Sequence, residues 1–361
     1  MTPLSYCTNV HPAQDLPGVL AQLDEFALPV RERLGADRLG LGLWLAAGVA
    51  SALADDPAGR KRLRAELDAR GLEVVTLNAF PYGGFHDRVV KHQVYRPRWT
   101  ERARAEYTLD CATVLSGLLP GDVEYGSIST LPLGWREPWT PGDDAAAARL
   151  LDEVTAGLRA QDRTIRLAVE PEPGCVLDTV HDAVTWLAGR ADPAHVGLCL
   201  DTCHLAVSFA DPAGAVAEIT AAGLDVVKVQ LSAALHVPDP RDPAAREALD
   251  AFDEPRYLHQ TRELAGGTVR AADDLGEALT DLPGEGPWRV HFHVPLHARP
   301  AAPLSSTTGV LAAALAALPD RAVHREVETY TWTVLPQAHR QDLVGGIAAE
   351  LTFAAGLVEQ A

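Results

Sequence analysis

Two short stretches about thirty positions apart limit what this chain can fold into: Arg166-Leu-Ala-Val-Glu170-Pro-Glu172-Pro-Gly-Cys175 and Gly197-Leu-Cys-Leu-Asp201-Thr-Cys-His204. Each is a continuous apolar run that stops at a carboxylate. A strand covered on both faces reads as such a run, and parallel sheets are covered in this way because their crossover helices pack on the faces. The carboxylate is then delivered to the carboxyl end of the sheet, where α/β proteins carry out their chemistry.

The remainder of the chain repeats the unit. A strand at Leu4 to Val10 leads into a helix from Leu16 to Leu34, with Leu20, Leu23, Phe26 and Val30 at helical spacing. Further strands are expected over 38–45, 72–78, 126–131, 225–232, 288–294 and into Glu328, with helices over 57–70, 100–119, 141–160, 212–222, 307–318 and 341–358. Gly71 is placed as a helix C-cap. Alternating β and α units of this number predict a (β/α)8 barrel, the TIM-barrel class, as one domain over residues 1–361. Counting the two opening stretches gives nine strand candidates for eight places. The surplus one is 126–131, 225–232 or 288–294. Residues 233–287 break the rhythm and read as an insertion or lid at the carboxyl face, with a helical turn at Tyr257 to Gln260 and an acidic helix near Ala272 to Leu282.

A carboxylate ending one strand and an Asp-x-x-His ending the next are parts of a divalent-metal site: hard oxygen donors joined by an imidazole. Two later runs add to them. His291 and His293 are spaced two apart, as are Glu326 and Glu328, which places each pair on one face of a strand. The same parity collects Asn9, Thr76 with Asn78, Ser127 with Ser129, and Lys228, Gln230 and Ser232. Nearly every strand thus turns a polar group toward one lumen. Asn9, His11 and Asn78 are candidate substrate contacts, as is His86 in the long aromatic loop from Phe80 to Trp99. Glu172, held between prolines, reads as a sugar-hydroxyl ligand or, with somewhat more weight, as a solvated loop carboxylate. His291 reads as a hydrogen-bonded core histidine, and Lys228 as the partner of Glu326 in an ion pair inside the barrel.

Leu200-Asp201-Thr202-Cys203-His204 resembles the Asp-Thr-Cys-His segment of the endonuclease IV branch of the xylose-isomerase-like barrels, and the order of strands resembles the sugar-phosphate isomerases and epimerases of that superfamily. Tyr6-Cys-Thr-Asn-Val-His-Pro12, Asn78-Ala-Phe-Pro-Tyr-Gly-Gly-Phe-His86, Gly126-Ser-Ile-Ser-Thr-Leu-Pro132 and Glu328-Thr-Tyr-Thr-Trp332 resemble the EboE-type metabolite traffic proteins. The resemblance implies one divalent ion (Mn, Mg, Co or Zn) on Glu170, Asp201, an imidazole and Glu328, with Glu170 and Glu328 also transferring protons on opposite sides of the substrate. The imidazole is His293, or its place on the seventh strand is taken by Gln230. His204 is implied as a substrate contact or a further ligand. The reaction so implied is isomerisation or epimerisation of a small sugar, cyclitol or sugar phosphate through an enediolate. A non-catalytic carrier on the same barrel is the alternative. An endonuclease is disfavoured, since Trp44 and Asn78 stand where that branch carries zinc-binding histidines at the ends of strands two and three.

Composition narrows the partners. Lys+Arg 31 against Asp+Glu 49 gives a formal charge of -18, a field that repels phosphodiester backbones. A small polar metabolite is expected in place of nucleic acid, with a homo-oligomer or pathway partner proteins as further possibilities. Five cysteines, odd in number and mostly in or beside strands, read as reduced thiols. No basic-then-apolar leader is seen, and no uncharged run approaches the ~20 residues of a membrane span, so a cytoplasmic protein is expected.

Overall fold

The structure, a computed structural model, describes residues 4–319 and 322–361. Seven parallel strands follow one another around a barrel: β1 (Leu4–Cys7), β2 (Leu39–Leu43), β3 (Leu72–Asn78), β4 (Gly126–Thr130), β5 (Ile165–Val169), β6 (Val196–Asp201) and β7 (Val226–Leu231). An excursion then contributes β8 (Leu235–Val237), β9 (Thr261–Ala265), β10 (Thr268–Ala272), β11 (Trp288–Val290) and β12 (Ser305–Ser306), after which β13 (His324–Val327) returns to close the barrel between β7 and β1. The expected eight-stranded α/β barrel is therefore present, with helices between successive strands.

The surplus candidate is 288–294. With β13 bonded to β7 on one side and to β1 on the other, the barrel has no edge left to accept another strand. β11 pairs instead with β8 and β9, antiparallel, in a separate five-stranded sheet ordered β10-β9-β11-β8-β12. It stops at Val290, so the histidine pair lies beyond the strand and not on it. The excursion also runs past residue 287, to Ser306. Tyr257 to Gln260 is not helical: the His259 amide donates to Asp274 Oδ1 at 3.0 Å, and the Gln260 carbonyl accepts from the His291 amide, so these groups bond across the excursion.

Two other departures have local causes. The first helix is three pieces, Leu16–Gln22, a π turn at Leu23–Ala27, and Leu28–Leu34, because Pro29 lacks the N–H that a continuous ladder needs. A helix at Ala47–Asp55, which no periodicity announced, precedes Pro57–Ala69. Elsewhere caps match the sequence: Thr140 with Asp143 and Thr179 with Asp182 form capping boxes.

The lumen is packed in polar layers. His324 Nδ1 meets Ser127 Oγ at 2.7 Å, and that hydroxyl donates to Thr76 Oγ1. One step toward the carboxyl end, Lys228 Nζ donates to Glu326 Oε1 and to Ser129 Oγ, each at 3.1 Å, which is the expected internal ion pair. Burial opposes the lysine's charge, but Glu326 and the thiols and carboxylates around it outweigh that and hold its pKa above the ordinary value. Gly42 makes room for the pair, since a Cβ there would lie 1.4 Å from Glu326 Oε2.

The helix Leu343–Gln360 is long and apolar enough, by length and composition, to cross a membrane, which the sequence pattern did not announce. Here it packs on the barrel through Ile347, Leu351 and Ala354. Its buried Glu350 accepts from the Leu296 amide, Thr329 Oγ1 and Trp332 Nε1 at 2.7 to 3.0 Å. All five cysteines are free and buried.

Candidate functional site

A cavity lies at the carboxyl end of the barrel. Asn78 at the end of β3, Glu170 just past β5 and Glu328 just past β13 reach it, and His204, His291 and His293 line it with them. Asp201, the last residue of β6, caps the helix Thr202–Val207: its Oδ1 accepts from the His204 amide at 2.9 Å and from Ser232 Oγ at 2.8 Å. Its Oδ2 is buried with no partner. Glu170 Oε2 is likewise unpartnered. Glu328 Oε1 accepts from Asn9 Nδ2 at 2.7 Å and Asn78 Nδ2 at 3.1 Å, so two amides hold this carboxylate in place.

The imidazoles are oriented by their outer nitrogens. His204 Nδ1 faces the Pro171 carbonyl at 2.9 Å and His293 Nδ1 the Glu328 carbonyl at 2.9 Å. Carbonyl oxygens only accept, so each Nδ1 carries the proton. His291 Nδ1 faces Gln260 Oε1 at 2.7 Å, and that amide's orientation follows from its Nε2 donating to Tyr95 Oη, Glu172 Oε1 and the Pro173 carbonyl. Burial lowers the pKa of all three rings, His204 to about 4, with further lowering from neighbouring imidazoles. Neutral rings with Nδ1 protonated present bare Nε2 lone pairs. His204 and His291 point theirs at each other across 3.1 Å, and that of His293 is buried with no partner.

These atoms form overlapping groups. Donor atoms of Glu170, Asp201 and Glu328 lie within 4.8 Å of one another, as do those of Asp201, His204 and His293, and those of Glu172, His204 and His291. All five residues named as ligands from the sequence fall in the first two groups. Facing lone pairs and crowded, unpartnered carboxylate oxygens repel one another unless protons or a metal cation lie among them, and the donor set fits a divalent ion. The carboxylates show the same strain. Burial, then Glu328 and Asp201, raise the pKa of Glu170; burial, then Asp201 and Glu326, raise that of Glu328. Glu172 is pushed up to about 8 by burial.

The remaining sequence candidates separate. Asn9 and Asn78 line the cavity through their bonds to Glu328. Glu172 is buried, accepting from Tyr95 Oη at 2.7 Å and Gln260 Nε2 at 3.2 Å, which overturns its reading as a solvated loop carboxylate: these two donors hold it inside. His291 is part of the cavity wall and not only a core residue. His11 does not line the cavity; it stacks on Phe26 at 4.3 Å and meets Tyr6 Oη. His86 is also outside the lining, its Nε2 bonding the Asn9 carbonyl at 2.7 Å. Gln230 is on β7, in register between Asp201 and Glu326, with both amide atoms buried and unpartnered. Gln230 therefore holds the seventh-strand position, while His293 brings its imidazole from outside the barrel. Tyr95 comes from the aromatic loop expected to cover the carboxyl face, whereas Tyr257, Gln260 and Tyr330 carry no signal as site residues in the sequence. Gln260 contacts Glu172 from 88 positions away, a distance that no local pattern reports.

The family model for the xylose isomerase-like TIM barrel matches residues 33–263, well over half of the chain. The chain belongs to that family. No curated protein matches it. Among solved structures, this xylose isomerase-like barrel is similar to a xylose isomerase-like TIM barrel protein from Mycobacterium smegmatis in complex with magnesium, at 13% identity and TM-score 0.57, covering 100% of this chain and 97% of that one. It is also similar to the IOLI protein with a binding zinc atom, at 13% identity and TM-score 0.54, covering 100% and 99%. A D-psicose 3-epimerase in the presence of D-fructose aligns at 14% identity and TM-score 0.52, covering 99% of each chain. At these identities the likeness is one of fold.

Proposed function

We propose that this barrel is a divalent-metal-dependent isomerase or epimerase of a small compound carrying the hydroxy-carbonyl group that sugars, cyclitol ketones and their phosphates share. The observation that carries the reading is the convergence of unpartnered carboxylate oxygens with imidazoles whose Nε2 lone pairs all face inward. Glu170, Asp201 and Glu328, with His204 and His293, would hold the ion. When bound, it supplies Lewis acidity toward the paired hydroxyl and carbonyl oxygens of the substrate.

The side chains do the rest. Glu170 and Glu328 are the proton-transfer groups: one takes the proton from the carbon bearing the hydroxyl, and the C–H electron pair becomes the double bond of an enediolate. The other returns a proton to the neighbouring carbon or to the opposite face. Asn9 and Asn78 fix one oxygen of Glu328 and leave the other for this work. Buried carboxyl groups with raised pKa exchange protons near neutrality more readily than solvated ones.

Deuterium wash-in from D₂O into a panel of ketoses and cyclitol ketones, read by mass spectrometry on Mn²⁺-loaded protein, tests the reaction class. Exchange that falls by about 10²- to 10⁴-fold in Glu170→Gln supports it. Metal bound at one ion per chain with no exchange into any compound would favour a carrier, a reading to which the amide of Gln230 on the seventh strand lends weight. Failure to bind Mn²⁺, Co²⁺ or Zn²⁺ would sink the proposal.

A further inference from the structure

Away from the groups at the strand ends, the cavity lining is largely apolar. Phe80, Phe85, Val90 and Val94 come from the loop after β3, and Leu258 from the excursion. The two segments are bonded together: the Val90 and Lys91 amides donate to the Arg256 carbonyl, and Tyr257 Oη donates to the Phe85 carbonyl. The polar groups among them are already engaged. Lys91 is paired with Asp274, Tyr95 donates to Glu172, and Tyr257 is bonded as described.

A free sugar or its phosphate fits this surface poorly. Against the side formed by these two segments, a hydroxyl beyond the chelated pair would leave water with no free side-chain partner, the unpartnered Asn9 Oδ1 lying at the strand ends instead, at roughly tenfold in affinity for each bond lost. A phosphate would meet Lys91 as the only cationic side chain of the lining among the described residues, and that cation already has its anion. The apolar character extends outward too, since Val89, beside Val90, is 55% exposed.

We infer that the substrate is an amphiphile: a hydroxy-carbonyl head joined to an apolar body that fills the space between the loop after β3 and Leu258. This rests on the reading of the carboxylates and imidazoles as a site for a hydroxy-carbonyl head. It narrows that reading to compounds in which an alkyl, isoprenoid or aromatic group replaces the outer hydroxyls.

Straight-chain hydroxamates test it, because they present two adjacent oxygens and no further hydroxyl. Titration calorimetry of the full-length, Mn²⁺-loaded protein should show affinity rising by about fourfold per methylene from acetohydroxamate toward octanohydroxamate. Leu258→Ser and Val94→Ser should each flatten that slope. A flat series in the wild type, or tighter binding of the polyhydroxylated gluconohydroxamate than of hexanohydroxamate, would overturn the inference. Should no hydroxamate bind and no metal load, the metal reading itself has failed. Chelator-treated protein titrated with 1-octanol against glycerol then decides the apolar body alone: preference for octanol supports it, and preference for glycerol or binding of neither overturns it.

Discussion

At the scale of single residues the site depends on oxygens and nitrogens held apart from ordinary partners. Asp201 shows this most sharply, because one oxygen is committed to the His204 amide and Ser232 while the other has nothing. Asp201→Asn keeps an oxygen for the first role and loses the charge. We expect a folded protein whose Mn²⁺ affinity, measured by calorimetry, falls by at least about 100-fold. Glu170 and Asp201 were legible in the sequence because a buried parallel strand leaves an unbroken apolar run, and packing alone seldom puts a carboxylate at its end. The place of His291 was not, because a period of two was carried past Val290, where the backbone leaves its ladder. His11 failed for the opposite reason: it follows a barrel strand, yet its ring turns back onto Phe26. Whether a side chain just past a strand turns inward is decided by tertiary packing.

At the scale of elements, what matters is which strand meets which. The closing contact is β13 with β7, and its centre is Lys228 with Glu326, both fully buried. Lys228→Met strands a buried carboxylate and should cost about 3–5 kcal/mol in urea unfolding, whereas adding Glu326→Leu should recover most of it. A second tie joins the carboxyl-terminal helix to the site's rim through Glu350. In Glu350→Gln one amide proton must face either Trp332 Nε1 or the Leu296 and Thr329 donors, so we expect a loss of about 1–3 kcal/mol in thermal melts. The repeated units were readable because strand and helix alternate with clear punctuation. The five-stranded sheet was not, since β8, β11 and β12 are only two or three residues long and pair with partners far along the chain. Periodicity cannot mark so short a strand.

At the scale of the whole molecule, the buried acids set a pH dependence. Glu172 is raised to about 8 and Glu350 to about 7, and Glu170 and Glu328 are raised as well. Unfolded carboxyls titrate near 4.3, so between that and about 8 the folded state binds more protons and stability falls as pH rises. The cavity histidines His204, His291 and His293, whose pKa values are lowered by burial, stay neutral in the folded state above pH 7 and do not mask the slope. Metal-free protein should therefore melt lower at pH 8.5 than at pH 7, by up to about 1.4 kcal/mol per pH unit for each such carboxyl. Added Mn²⁺ should stabilise more at pH 8.5 than at pH 6.5, because the ion displaces those protons. The site is also composite. Its carboxylates stand on the barrel, while His291, His293 and Gln260 arrive on chain that leaves or enters the antiparallel sheet. An ion shared between the two acts as a clasp, and amide hydrogen exchange in β9 and β11 should slow when the ion binds while that of β2 and β3, which supply no ligand, does not. The sheet's local stability would then depend on what the barrel holds.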